Sequence, residues 1–174
     1  MDNSRDAWGR CSIRLHFCRL KLNSVVHSSM EMSEEQKTSI IEDVYRLRST
    51  EPESRRKSTR GGWSSTLSTS TIDQFPLIKN LLSPHKVHGF WFNINPPGSY
   101  NDWHCHRGFA TSGVLYVKTC HNSGKIIFKN DDDEVLSITP DVGTMLTFPG
   151  DLLHRVTQNL SDEDRICLVF NCNQ

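Results

Sequence analysis

Two periodicities divide the chain. Ile40, Ile41, Val44 and Leu47 recur at helical spacing after Ser33, and Ser33 with Gln36 three residues on has the form of a capping box. The pattern predicts one amphipathic helix over residues 33–48. Phe75 to Leu82 is a second short apolar segment, read as helical and stopped near Ser83-Pro84. After Pro84 the period falls to that of strands. Val87–Ile94, Gly113–Lys118, Lys125–Phe128, Val135–Ile138, Thr144–Phe148, His154–Thr157 and Arg165–Asn171 are short, rich in β-branched and aromatic residues, and separated by Gly, Pro, Asn and Asp. Such spacing predicts a mainly β protein with an N-terminal helix, an antiparallel barrel or sandwich that suits a jelly roll, in which double-sheet packing covers most strand edges. The domain is expected over residues 33–174, with its barrel core at about 85–174.

The flanking segments carry less pattern. Residues 1–32 read as a poorly ordered extension, and the basic, Ser-containing stretch around Ile13-Arg14-Leu15-His16-Phe17 has a faint likeness to an organelle transit peptide. Met30 or Met32 would serve as an alternative start. Residues 49–70 are rich in Ser, Thr, Arg and Gly, and Arg55-Arg56-Lys57 with Arg60 reads as a solvated basic loop, because no aromatic interleaving accompanies it. The acidic tip Asn130-Asp131-Asp132-Asp133-Glu134 is expected to be a hairpin turn, since it lacks the twelve-residue EF-hand spacing.

Composition narrows the partners. The 174 residues suffice for one domain with a sizeable core. Twenty basic and twenty acidic side chains cancel, which argues against a global attraction to nucleic acid or anionic membranes. No apolar run approaches the roughly 18–20 residues that span a bilayer, so a membrane partner is not expected. Cys11, Cys18, Cys105, Cys120, Cys167 and Cys172 contain no C-x-x-C pair. They are read as reduced thiols of an intracellular, cytoplasmic protein, Cys105 and Cys167 as packing residues rather than nucleophiles.

Chemistry concentrates in Asn101-Asp102-Trp103-His104-Cys105-His106-Arg107-Gly108. On a strand, residues i and i+2 share a face, so His104 and His106 would project together. His154, after the turn Phe148-Pro149-Gly150-Asp151, is the best third ligand. Imidazoles suit Fe, Zn, Cu or Ni, and three protein ligands with open positions mark a catalytic site. The other five histidines have no partner at ligand spacing and are left as ordinary polar residues. Alternation in Arg165–Asn171 puts Arg165, Cys167, Val169 and Asn171 on one face and Ile166, Leu168 and Phe170 on the other. If the first face lines the barrel, a guanidinium sits inside it and needs an anionic partner. The alternative is a surface arginine paired with Asp162 or Asp164.

Gly61-Gly62-Trp63-Ser64-Ser65, Trp91–Asn95, the H-C-H triplet, Ser112–Val117, Phe148-Pro149 with Leu152-x-His154-x-Val156, and Arg165–Asn171, in that order, resemble the 2-oxoglutarate and Fe(II)-dependent oxygenases. The likeness is to a small branch found in marine bacteria and phages, and covers about residues 60–173. It implies a double-stranded β-helix that binds Fe(II) and uses 2-oxoglutarate and O2 as cosubstrates, giving succinate, CO2 and an oxidised C–H bond. His104 and His154 match the two histidines of the family's metal site, and Arg165 matches the arginine on the far carboxylate of 2-oxoglutarate. Tyr116 is implied as a further cosubstrate contact, with Asn171 and Trp91 as candidate pocket walls. One departure stands out. His106 occupies a position that is a carboxylate in the wider family, and a neutral ligand there raises the charge of the site by one. Asp102 is the alternative carboxylate ligand.

The cupins are a weaker resemblance: Gly98 before His104-Cys105-His106, and Gly143, Pro149 and His154, fit parts of their two motifs. That reading keeps the jelly roll and implies a three-histidine dioxygenase or isomerase, with a non-catalytic binding domain as a third reading. The Ser112–Val117 segment and Arg165 favour the oxygenases. The sequence specifies neither the primary substrate, whether small molecule or macromolecule, nor an oligomeric state.

Overall fold

A computed structural model of the chain describes residues 22–55, 57–65 and 69–173. The transit-like stretch, Arg56, Cys11 and Cys18 lie outside the described residues. A 3-10 turn at Leu22–Ser24 leads into β1 (Val26–Ser29), followed by α1 (Glu34–Thr50), the two-residue strands β2 (Thr59–Arg60) and β3 (Trp63–Ser64), a 3-10 segment at Thr69–Gln74, and α2 (Pro76–Leu82). The remaining strands are β4 (Val87–Asn95), β5 (Tyr100–His104), β6 (Thr111–Lys118), β7 (Ile126–Lys129), β8 (Val135–Ile138), β9 (Thr144–Pro149), β10 (Leu153–Val156) and β11 (Arg165–Cys172). They form two antiparallel sheets, β1-β9-β6-β11-β4-β3 and β2-β5-β10-β7-β8, in the arrangement of a double-stranded β-helix.

The helices explain the larger sheet. Ser33 Oγ accepts from the Gln36 amide at 3.1 Å while the Gln36 side chain accepts from the Ser33 amide at 2.9 Å, so the capping box starts α1 where the pattern placed it. Glu34 and Glu35 in the first turn complement the helix dipole. Pro76 begins α2 with no amide to satisfy. Ile40 and Val44 of α1 and Ile78 and Leu82 of α2 are buried in one cluster with Phe90, Phe92, Ile94, Leu115, Val117, Ile166, Leu168 and Phe170. The alternate residues of the same strands join a second cluster between the sheets, with Val114, Tyr116, Cys167 and Val169 packed near Phe128, Leu146, Phe148 and Leu152. Each central strand is therefore buried on both faces.

Three expectations change. Residues 22–32 are not a loose extension: Val26–Ser29 pairs with Thr144–Thr147 as an edge strand, and the Met30 amide donates to the Gly143 carbonyl. All four β1 residues are exposed, so their burial leaves no hydrophobic pattern to read. The 49–70 segment is not wholly a loop, since β2 pairs with β5 and β3 with β4. Strand β5 also ends at His104, which leaves His106 beyond the strand on which alternation placed it. The acidic tip is the expected turn between β7 and β8: Asn130 Oδ1 accepts from the Asp132 and Glu134 amides at 3.0 and 2.9 Å, and Asp133 has φ +63°. Cys105, Cys120, Cys167 and Cys172 are free thiols.

Gly113 sits opposite Phe170 in the β6–β11 ladder, and a Cβ there would lie 2.1 Å from the fully buried Phe170 ring. Gly113→Ala should destabilise the fold by roughly 1–3 kcal/mol through overpacking, read as a lower urea midpoint with an unchanged m-value. An unshifted midpoint would show that the ring has room to move.

Candidate metal centre and its cavity

The centre is assembled by one strand pairing. β10 runs antiparallel to β5 with His154 opposite His104, and their ring centroids are 4.2 Å apart. His106 reaches the same place by a different route: its amide donates to the Gly150 carbonyl at 2.6 Å, tying the loop after β5 to the Phe148–Asp151 turn. Its ring lies 5.2 Å from each of the other two. A Cβ on Gly150 would meet the carbonyl oxygens of Phe109 and His106 at 2.3 and 2.8 Å, so only glycine permits this approach.

Hydrogen bonds orient two of the rings. His104 Nδ1 lies 2.7 Å from the Asp102 carbonyl and His154 Nδ1 lies 2.8 Å from the Leu152 carbonyl. A carbonyl only accepts, so both Nδ1 atoms carry the proton and both Nε2 lone pairs are left for a ligand. Phe148 and Phe128 pack against His154, and Trp91 lies 5.6 Å from His106. Burial is the main reason all three imidazoles stay neutral: it lowers the pKa of His104, and together with mutual repulsion it brings His106 to about 4 and His154 to about 3. Ligand atoms of the three residues lie within 4.8 Å of one another. Bonds of ~2.0–2.2 Å from imidazole to a single ion require a similar convergence. The donor set therefore fits one first-row metal ion.

Asp102 is not part of the cluster. Its carboxylate is 2.7 Å from Arg60, and it serves His104 through its backbone carbonyl instead. Arg165, only 1% exposed, lines the cavity with Cys167, Val169 and Asn171, the residues with which alternation grouped it. Its guanidinium donates to the Ser123 carbonyl, and a Cβ on Gly124 would fall 2.6 Å from it, so this glycine makes its space. Neither Asp162 nor Asp164 pairs with it among the described residues; Asp164 accepts from the Tyr45 hydroxyl at 2.8 Å. Burial raises the Tyr116 phenol well above its ordinary pKa, and the thiol of Cys167 is pushed up to about 11 for the same reason, so both stay protonated. Asn171 accepts from Ser112 Oγ at 2.7 Å. A cavity of about 640 Å³ takes in the three histidines, Trp91, Tyr116, Arg165 and Asn171, a size suited to small molecules.

Sequence reasoning missed the surroundings. Ser123 and Gly124, which hold Arg165, lie in a loop with no periodic signal, and Gly150 looked like a turn residue only. Arg55, Lys57 and Arg60, expected in a solvated loop, line the cavity mouth because β2 attaches their segment to β5.

A family model described as "Putative 2OG-Fe(II) oxygenase" matches residues 128–171, from β7 through β11, which contain His154, Arg165 and Asn171. Among solved structures, a Pseudomonas putida prolyl-4-hydroxylase is 18% identical over 87% of this chain and 93% of its own, with a TM-score of 0.61. A Trichoplax adhaerens prolyl hydroxylase, solved with a hypoxia inducible factor oxygen degradation domain peptide fragment, is 14% identical over 87% and 84%, with a TM-score of 0.66. The epimerase SnoN from nogalamycin biosynthesis, solved with Fe3+, alpha ketoglutarate and nogalamycin RO, is 13% identical over 86% and 79%, with a TM-score of 0.65. These likenesses establish the fold. A comparison with curated protein sequences finds no match. No helix among the described residues is long and apolar enough to cross a membrane.

The depressed imidazole pKa values make the metal-free protein acid-sensitive. Between the ordinary value of 6.5 and the folded values near 4 and 3, the unfolded chain binds protons that the folded chain does not. Their contribution to stability is present above pH 6.5 and is lost as pH falls toward 4 and 3. In chelator, the urea midpoint should fall over this window, and the fall should be shallower in His106→Gln. Identical pH slopes in the two proteins would remove the neutral-imidazole account.

Proposed function

We propose that this chain, whose residues 128–171 match a 2OG-Fe(II) oxygenase family model, is a dioxygenase that holds Fe(II) on His104, His106 and His154 and 2-oxoglutarate on Arg165. The observation that carries the reading is the placement of three converging neutral imidazoles and one buried guanidinium on the walls of a single cavity.

Fe(II) bound there would supply the centre at which O2 and the keto-acid end of 2-oxoglutarate react, and at which a substrate C–H bond is oxidised. The overall balance is one O2 consumed, one oxygen atom to the product and one to succinate, with CO2 released. The residues of the chain have defined parts in this. The Asp102 and Leu152 carbonyls keep His104 and His154 in the tautomer that presents Nε2. Ser123 occupies one guanidinium nitrogen of Arg165, which keeps the fork in place for a carboxylate. Tyr116, buried and protonated, offers a hydroxyl donor beside it. Phe128 and Phe148 shield His154 from water. His106 in place of a carboxylate leaves the site one unit more positive, which favours dianionic 2-oxoglutarate as a metal ligand and disfavours the oxidised metal.

Anaerobic titration tests the reading. Fe(II) followed by 2-oxoglutarate should produce a visible charge-transfer band in the wild type, and His104→Ala should abolish metal binding. Arg165→Ala should raise the 2-oxoglutarate concentration needed for half-maximal band intensity by ~10- to 100-fold, the magnitude of a lost charge-assisted bidentate pair. A bound metal whose spectrum 2-oxoglutarate leaves unchanged would exclude this cosubstrate.

A further inference from the structure

The basic run that looked like a solvated loop lies at the cavity mouth. Arg55, Lys57 and Arg60 come from the segment that β2 fastens to β5, and Arg107 comes from the loop that carries His106. Among the described residues, these and Arg165 make five cationic side chains around one cavity, against a single carboxylate, Asp102, which is already engaged by Arg60 at 2.7 Å. Arg165 is fully inside, whereas Arg55, Lys57 and Arg107 are exposed at the rim. Over the whole sequence acidic and basic residues cancel, so the chain carries no net charge to attract a polyanion. On the wall formed by β4 and the loop after β5 the lining is aromatic. Trp91 lies beside His106, and the His88 and Phe109 rings are 5.3 Å apart.

From this we infer that the primary substrate is a small molecule bearing a phosphate or carboxylate, whose anionic group is held at the rim by Arg55, Lys57 and Arg107 while its apolar part lies against Trp91, His88 and Phe109. The inference rests on the proposed dioxygenase reading for what happens to the substrate, but the binding does not require metal. Rim charges draw the anion in and fix its far end, because opposite charges in a cleft with low-dielectric walls act over several ångströms. The apolar wall then places the carbon skeleton beside the metal centre. Arg165 lies deeper in the cavity and remains assigned to the cosubstrate.

Phenyl phosphate, benzoate and the neutral benzyl alcohol serve as probes, titrated into metal-free full-length protein and followed by calorimetry. At least one anion should bind ~10-fold or more tightly than benzyl alcohol, and the tighter of the two identifies the anionic group. The Lys57→Gln/Arg107→Gln double variant should lose most of that preference, and added salt should weaken it. Arg48→Gln/Lys79→Gln, which removes the same charge from the helices, should bind as the wild type does. The inference falls if the neutral probe binds equally well, if the rim variant binds the anions like the wild type, or if Arg165→Gln alone abolishes binding, since the anion would then occupy the cosubstrate position. Because no metal or 2-oxoglutarate is present, these outcomes are read separately from the charge-transfer titration.

Discussion

Burial of β4, β6 and β11 on both faces is the constraint from which the rest of the molecule follows. One face is sealed by α1 and α2 through Ile40, Val44, Ile78 and Leu82, and that contact selects Phe90, Phe92, Leu115, Ile166, Leu168 and Phe170 as the outer set. Strand geometry then leaves no freedom for the alternate residues. Trp91, Asn93, Tyr116, Arg165 and Asn171 must face the interior, and a slip of one residue would send Arg165 into the aromatic layer beneath the helices. The polar members of the inner set tolerate this because each finds a partner: Asn93 accepts from Ser64 Oγ at 2.6 Å, Asn171 from Ser112, and Arg165 donates to Ser123. The cavity is thus the polar remainder of a sheet whose apolar half is committed elsewhere.

Onto this scaffold the smaller sheet brings the histidines. The β5–β10 ladder sets His104 against His154, and the Gly150 carbonyl draws His106 to the same point. Main-chain carbonyls, rather than carboxylates, hold the two strand histidines in place. The carboxylate of Asp102 points to Arg60 and joins the rim instead of the centre. This partition gives the cavity its electrostatic character: neutral ligands inside, cations at the mouth, and a lone buried guanidinium on the wall. Such a cavity favours anions at both ends, a cosubstrate dicarboxylate in the depth and an anionic group at the rim.

Much of this was legible along the chain because local physics reports it. The capping box at Ser33 and Gln36 marks a helix start wherever the chain folds. The alternation of Arg165, Cys167, Val169 and Asn171 against Ile166, Leu168 and Phe170 assigns two faces before any partner is known. The spacing of His104, His106 and His154 singles out three imidazoles from eight. Alternation put His106 on the correct side for the wrong reason, since β5 stops at His104 and a turn-to-turn hydrogen bond does the positioning.

The rest depended on pairings between segments far apart in sequence. Val26–Ser29 is exposed at every position, so only its ladder with β9 makes it a strand. Asp102 and Arg60 are 42 positions apart, and Arg165 meets the carbonyl of Ser123 at the same separation. Neither pairing leaves a trace in periodicity: the ion pair joins two charged residues that local pattern does not connect, and a hydrogen bond to a main-chain carbonyl places no demand on the residue that accepts it. Local pattern was enough for α1, α2, the long central strands with their two faces, and the three imidazoles. Tertiary structure alone decided which charges share the cavity and which are spent on each other, because electrostatic partners are set by distance in space, and that distance exists only once the two sheets have closed.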